Sequence, residues 1–212
     1  MNTFRIITKI EELDKKRSKI YIDQEFAFVL YKGEIAQYKL RENKQIEDNI
    51  YQIILNEILP KRAKKRSLNL LQKRPYTEQK LREKLTEGYY SEEMIDEAIE
   101  YMKSFHYVDD YEYACQYIFY HKESESRRKM EEKLTLKGMD KETLERAFRD
   151  SYEEEEQKEL ELQQAIKLLD KKKYDASTTD WKEKQKIYAF LTRKGISGSV
   201  IRKAMHLSEE FF

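Results

Sequence analysis

A chain of 212 residues offers material for one domain or two and is ample for a hydrophobic core. Charged side chains make up 39% of it while glycines number five and prolines two, which suits long helices laced with ion pairs and argues against a β-sandwich, whose turns need such residues at regular intervals. The 42 basic and 41 acidic side chains cancel, so net charge gives no vote for nucleic acid. Cys115 stands alone, which leaves no intramolecular disulfide and fits a reducing cytoplasm. There is no secretory h-region and no apolar run near the roughly 18 residues of a membrane span, so a chain neither exported nor membrane-bound is expected.

Residues 3–31 differ from the rest of the chain. FRIITKIEEL, KIYID and FAFVLY are β-branched and aromatic runs with partial alternation, broken by DKKRSK and DQE, and they predict two or three short antiparallel strands. KGEIAQYKL predicts a short helix and NKQI a turn. Ile46, Ile50, Ile53, Ile54 and Ile58 then keep helical spacing as far as Leu59. Pro60 can open a helix but not continue one, so a break is expected there, closing an N-terminal β-containing cap and helix at 1–59.

Beyond it the chain repeats itself. Leu81–Ile99, LREKLTEGYYSEEMIDEAI, is echoed at Met130–Phe148, MEEKLTLKGMDKETLERAF, and again at Ile187–Met205, IYAFLTRKGISGSVIRKAM. Leu85, Thr86 and Ala98 return as Leu134, Thr135 and Ala147, then as Leu191, Thr192 and Ala204. A period near 50 residues is the mark of a repeat architecture. Each copy reads helix, turn, helix, with one apolar face per helix. Gly138 and Gly195 sit where a left-handed residue would close the first helix, and in the first copy the glycine is displaced by one, to Gly88. Ser91, Asp140 and Ser197 are the expected caps of the second helix. Two amphipathic helices cannot bury both faces alone, so each copy needs a third. The expected sets are 61–74, 77–87 and 91–104; 109–122, 126–137 and 140–152; and 157–172, 180–194 and 198–207. They give repeats at 60–108, 109–156 and 157–212. No breaker stands between Ala147 and Leu169, which predicts that one helix runs on into the next repeat. YDASTTD at 174–180 reads as a loop, with Asp180 capping the next helix.

Catalytic signals are poor. His106, His121 and His206 are scattered, and none stands near Cys115 at a metal-ligand spacing. No phosphate loop, G-x-S-x-G or H-E-x-x-H occurs. Asp109 and Asp110 precede a helix and are caps before they are acid–base candidates. No catalytic residue, no metal ligand and no cofactor is therefore assigned. Binding signals are better. Lys61, Arg62, Lys64, Lys65 and Arg66 form a basic cluster that could grip phosphates or an acidic groove, or be one solvated helix face. Arg127, Arg128 and Lys129 open a helix against its macrodipole, a small cost that points to another use.

At HYVDDYEYACQY (106–117) the pattern resembles the RecX family, bacterial regulators of the RecA recombinase. The similarity extends to RPYTEQKLREKL at 74–85, to the second copy at 130–148, to KQKIYAFLTRKGIS at 184–197 and to the β-rich preface. It covers essentially the whole chain, although HKESESRRK lacks a glycine common in that family. The resemblance implies a mainly α fold: three tandem three-helix, helix-turn-helix-like repeats in a curved, elongated array, with a small N-terminal β-hairpin or sheet. It implies a non-enzymatic regulator that binds the groove of the RecA–DNA filament, bridges protomers and mostly inhibits RecA ATPase, strand exchange and SOS co-protease activity. The expected partners are the RecA filament and single- or double-stranded DNA, with no membrane, and the chain is expected to be a monomer. Interface residues expected from charge and repeat position are Lys61, Arg62, Lys65, Arg66, Arg74, Arg82, Arg127, Arg128 and Lys129. The alternative is a helical module acting directly on DNA, with the second helix of each pair in a groove.

Overall fold

The β-branched runs near the N-terminus form a sheet in the computed structural model, which describes residues 5–207. Strands β1 (Arg5–Glu12), β2 (Arg17–Ile22) and β3 (Glu25–Tyr31) are antiparallel neighbours. Along β2, Ser18, Ile20 and Ile22 are buried and the residues between them are not, the period-2 pattern of a strand with one covered face. Lys32–Gln37 is helix α1, as expected. NKQI is no mere turn: Lys44–Ile46 is strand β4, pairing with β1 and completing the sheet order β3-β2-β1-β4. Three residues on a sheet edge are too few to show a period; only Ile46 is buried.

The expected break at Pro60 is absent. Helix α2 (Asp48–Ile53) passes through a π-helical turn (Ile54–Ile58) into α3 (Leu59–Leu71). The Leu59 N–H already reaches back five residues to the Ile54 carbonyl, so the ladder is offset before the proline arrives. A proline clashes with the carbonyl four residues back, and a wider turn just ahead of it relieves that clash. Ile54 and Leu59 on this rod pack beneath Ile7, Ile20, Phe28 and Leu30 of the sheet.

The rest is helical. The chain divides at the Val108–Asp109 junction into two units. In the first, α3 is joined by α4 (Glu78–Thr86) and α5 (Glu92–Ser104). In the second, α6 (Asp110–His121), α7 (Arg127–Thr135) and α8 (Lys141–Ser151) form one triplet, and α9 (Glu154–Lys171), α10 (Trp181–Arg193) and α11 (Gly198–Met205) another. Each triplet has its own core, gathered around Leu85, Leu134 or Leu191, all fully buried. Thr77, Asp109, Asp140 and Asp180 cap their helices by accepting from backbone N–H groups.

Three local expectations need correcting. No helix runs from Ala147 to Leu169; Tyr152 is extended (φ −152°, ψ 158°) and its ring stacks on Phe148 at 6.2 Å. The chain leaves the helix at that aromatic contact, and Glu155 and Glu156 then stand in the first turn of α9, its favourable, positive end. Ser197 does not cap α11 with its oxygen; its hydroxyl and backbone N–H donate to the Glu161 carboxylate at 2.9 and 2.7 Å. In the first triplet the left-handed position falls on Tyr89 (φ 65°), not on Gly88, whereas Gly138 (φ 89°) and Gly195 (φ 85°) take it in the others. A bulky residue there costs roughly 1–3 kcal/mol. Tyr89 is held by the sheet, its ring 6.0 Å from Phe26 and 4.8 Å from Lys19 Nζ.

The two triplets of the second unit are joined by polar bonds to backbone. Gln164, buried, donates to the carbonyls of Lys122 (2.8 Å) and Glu125 (3.1 Å). The Ser126 hydroxyl donates to the Lys194 carbonyl at 2.8 Å, directly over Gly195, where an added Cβ would stand 2.3 Å from that oxygen. Gly195→Ala is therefore expected to destabilise the second unit by clearly more than the left-handed cost of roughly 1–2 kcal/mol. A loss in urea unfolding no larger than that cost would show that Ser126 swings clear and does not lock the triplets together.

Candidate functional site

Four of the sequence-predicted residues meet in one cleft of the first unit. Lys61, Arg62, Lys65 and Arg66 project from one side of α3 because 61 and 65, and 62 and 66, are each four residues apart, which stacks them on a face away from the buried Ala63, Ser67 and Leu70. Arg17 from β2 and Lys84 from α4 join them around a cavity of about 750 Å³. Against these six cations stand two lining carboxylates, Glu34 and Glu87. Tyr31, Tyr90 and Asn69 complete the walls.

The cations are not equivalent. Arg62 is part of the fold: it pairs with Glu34, donates to the Val29 carbonyl at 3.0 Å and lies 4.7 Å from the Tyr31 ring centre. Glu34 also accepts from the Tyr31 N–H at 2.8 Å, so Arg62 ties α3 to the β3–α1 junction. Lys84 pairs with Glu87 at 2.7 Å, Arg17 with Asp14 at 2.8 Å and Lys61 with Glu57 at 3.4 Å. Lys65 and Arg66 are exposed, and among the described residues neither has a carboxylate within ion-pair distance. Tyr90 is half-buried; burial pushes its hydroxyl's pKa up, while Arg62, Arg66 and Arg17 pull it the other way. The phenol is thus a neutral donor facing guanidinium groups.

The remaining predicted residues lie elsewhere. Lys64 turns away to Glu97 (2.8 Å) and the Tyr101 ring. Arg74 is exposed beside the Tyr76 ring. Arg82 bridges Glu78 (2.8 Å) and Asp96 (2.5 Å), joining α4 to α5. In the second unit Arg127 is bound to Glu131 and Gln157, with Phe148 beneath its guanidinium, which accounts for a cation placed against the helix dipole. Arg128 forms an exposed pair with Glu132, and Lys129 is half-buried with its Cγ near Gly195. Sequence reasoning missed Arg17, Lys84, Tyr31 and Tyr90. Only Lys84 had a usable signal, its recurrence as Lys133 in the second copy.

Family comparisons track the same architecture. Residues 5–47 match the model of the regulatory protein RecX N-terminal domain, 63–102 that of the RecX first three-helix domain and 159–205 that of the third. The chain is 30% identical to the regulatory protein RecX of Caldanaerobacter subterraneus subsp. tengcongensis, across 96% of itself and 100% of that relative. The chain belongs to the RecX family. With RecX of Finegoldia magna it shares 31% identity over 93% of itself and 97% of the relative. A crystal structure of regulatory protein RecX superposes with a TM-score of 0.63 at 24% identity, covering 95% of this chain and 99% of that one. RecX from Lactobacillus salivarius superposes with a TM-score of 0.60 at 22% identity over 70% of this chain and 96% of its own. These two likenesses establish the RecX fold: mainly helical, in three-helix domains behind a small sheet. A regulatory role comes with the family. No helix among the described residues is long and apolar enough to cross a membrane.

Two tests separate the structural ions from the free ones. Arg62→Ala is expected to lower the stability of the first unit by about 1.5–3 kcal/mol, the range for hydrogen bonds to a charged group, and Lys65→Ala by under about 0.5 kcal/mol. Matching urea midpoints for both variants would remove Arg62 as a strut. At Glu78, burial acts to raise the carboxyl's pKa, but hydrogen bonds from Lys103 and Arg82 outweigh it and hold the group below its ordinary 4.5. Its contribution is present above that value and is lost as pH falls through the lower folded value. The stability gap between wild type and Glu78→Gln should therefore narrow on acidification below pH 4.5. A gap independent of pH would show that Glu78 does not titrate with folding.

Proposed function

We propose that the chain is a non-enzymatic regulator of the RecA recombinase, acting as a monomer without a cofactor in the cytoplasm. It binds in the groove of the RecA–DNA filament, bridges neighbouring protomers and mostly inhibits ATP hydrolysis, strand exchange and SOS co-protease activity. The observation that carries this reading is membership of a family of regulatory proteins over nearly the whole chain. The physical arrangement supports it. Successive three-helix units, each with its own core, each bring a surface of their own to a partner. A filament groove presents side chains of both signs beside phosphates, and a face carrying paired and free cations together suits it. The repeat boundaries 60–108, 109–156 and 157–212 are part of the proposal, one unit for each successive contact.

Direct action on DNA is the second reading, favoured by the uncommitted Lys65 and Arg66. Helix α8, the second of its pair, counts against groove insertion: Lys141 pairs with Glu145 and Arg146 with Asp150 along it, which blunts its attraction to phosphates.

The deciding experiment is RecA ATP hydrolysis on single-stranded DNA during titration with this protein. Hydrolysis is expected to fall at less than one protein per RecA. Recovery on adding excess DNA would favour the DNA-binding reading, and unchanged hydrolysis at every ratio would remove the regulator.

A further inference from the structure

The cleft between the sheet, α3 and α4 has a chemistry of its own. We propose that it binds the phosphate groups of a nucleotide, free or carried in single-stranded nucleic acid. The inference rests on the geometry of the cleft and stands apart from the RecA reading; in its strand form it deepens the reading of direct action on DNA.

Three features point to this class of ligand. The first is an excess of cations over carboxylates in a concave space: six against two, around about 750 Å³, within the range of small-molecule sites. The second is the way the charges are shared out. Arg62–Glu34 and Lys84–Glu87 satisfy both lining carboxylates, while Arg17 and Lys61 are paired with acids that do not line the cleft. Lys65 and Arg66 remain, one turn along from Arg62 on the same helix and without a counterion among the described residues. A paired cation brings its acid with it and gains little from an incoming anion; a free one gains in full. Arg66 supplies a planar fork suited to phosphate oxygens, and Lys65 a mobile point charge. The third feature is the uncharged wall. The Tyr90 phenol can donate to a phosphate oxygen, and Asn69 brings an amide that both donates and accepts. Tyr31 offers a ring on which a base can stack, with Arg62 already over it.

Other ligands fit less well. A metal cation is repelled. An apolar ligand would leave the cations unsolvated. A monocarboxylate would leave one of the two free cations unused, whereas adjacent phosphates engage both.

The test is calorimetric titration of the full chain with ATP without added magnesium, and separately with oligo(dT), at low and at physiological salt. At least one probe is expected to bind, more weakly as salt rises, and Lys65→Gln/Arg66→Gln is expected to weaken it at least tenfold. Arg128→Gln, in the second unit, is expected to change it less than twofold. Tighter binding of ATP, with oligo(dT) failing to displace it, assigns the cleft to a free nucleotide. Tighter binding of oligo(dT), with a salt slope about 1.4 units shallower in the double variant, assigns it to a strand. Because Lys65 and Arg66 are exposed and unpaired, the double variant keeps the fold, which circular dichroism verifies. Binding of neither probe, or equal binding by wild type and double variant, overturns the proposal. The RecA assay is read independently: inhibition that survives in the double variant leaves the regulator standing without this site, and nucleotide binding without inhibition does the reverse.

Discussion

Three leucines set the terms for the helical part of the chain. Leu85, Leu134 and Leu191 occupy the same place in three copies of one motif, and none has any solvent exposure. A helix pair alone would leave that position half-covered; α3, α6 and α9 close over it in turn. Burying one such side chain is worth about 1.5–3 kcal/mol, and each core gathers several. A helix cap is worth about 1 kcal/mol. That ordering explains why caps are expendable here. Ser126 and Ser197 stand at helix starts, yet neither side chain caps; Ser126 bonds across to the next triplet, and Ser197 ties the start of α11 to α9 within its own.

What the sequence conveys clearly is whatever repeats or alternates over many residues. The three helix pairs, the strands at the N-terminus and the caps Asp109, Asp140 and Asp180 all belong to that class. The failures share a cause as well: each was decided by a partner distant in the chain. β4 exists because β1 offers an edge to it. Tyr152 ends a helix because the second triplet's core receives its ring, with Lys122 at the end of α6 5.4 Å from the ring centre. Tyr89 takes a backbone conformation suited to glycine because Phe26 and Lys19 hold it. Pro60 is the exception, settled within one turn of itself by the π-helical offset.

The same distinction governs the site. The sequence displays the basic cluster plainly but not which members are free. Arg62 and Lys65 read alike in a string of cations. Only the fold brings Glu34, 28 positions earlier, against Arg62, and brings no acid to Lys65. Arg82 and Arg127, equally plausible as contacts from sequence, prove to be bridges between helices. Cations that tie the fold together and cations that await a ligand are distinguished by their neighbours, not by their own identity.

Their division of labour has a consequence for affinity. Arg62, clamped by Glu34, the Val29 carbonyl and Tyr31, fixes the side of α3 that faces the sheet, and the helix carries Lys65 and Arg66 at a set height above it. Binding costs side-chain freedom, on the order of 0.5–1.5 kcal/mol for each long residue immobilised. A rigid helix confines that loss to the two side chains themselves, since the backbone that carries them is already ordered. The half-buried ion pair therefore serves the free charges by holding their platform in place. Its removal would loosen the platform first, and the charge in the cleft only second.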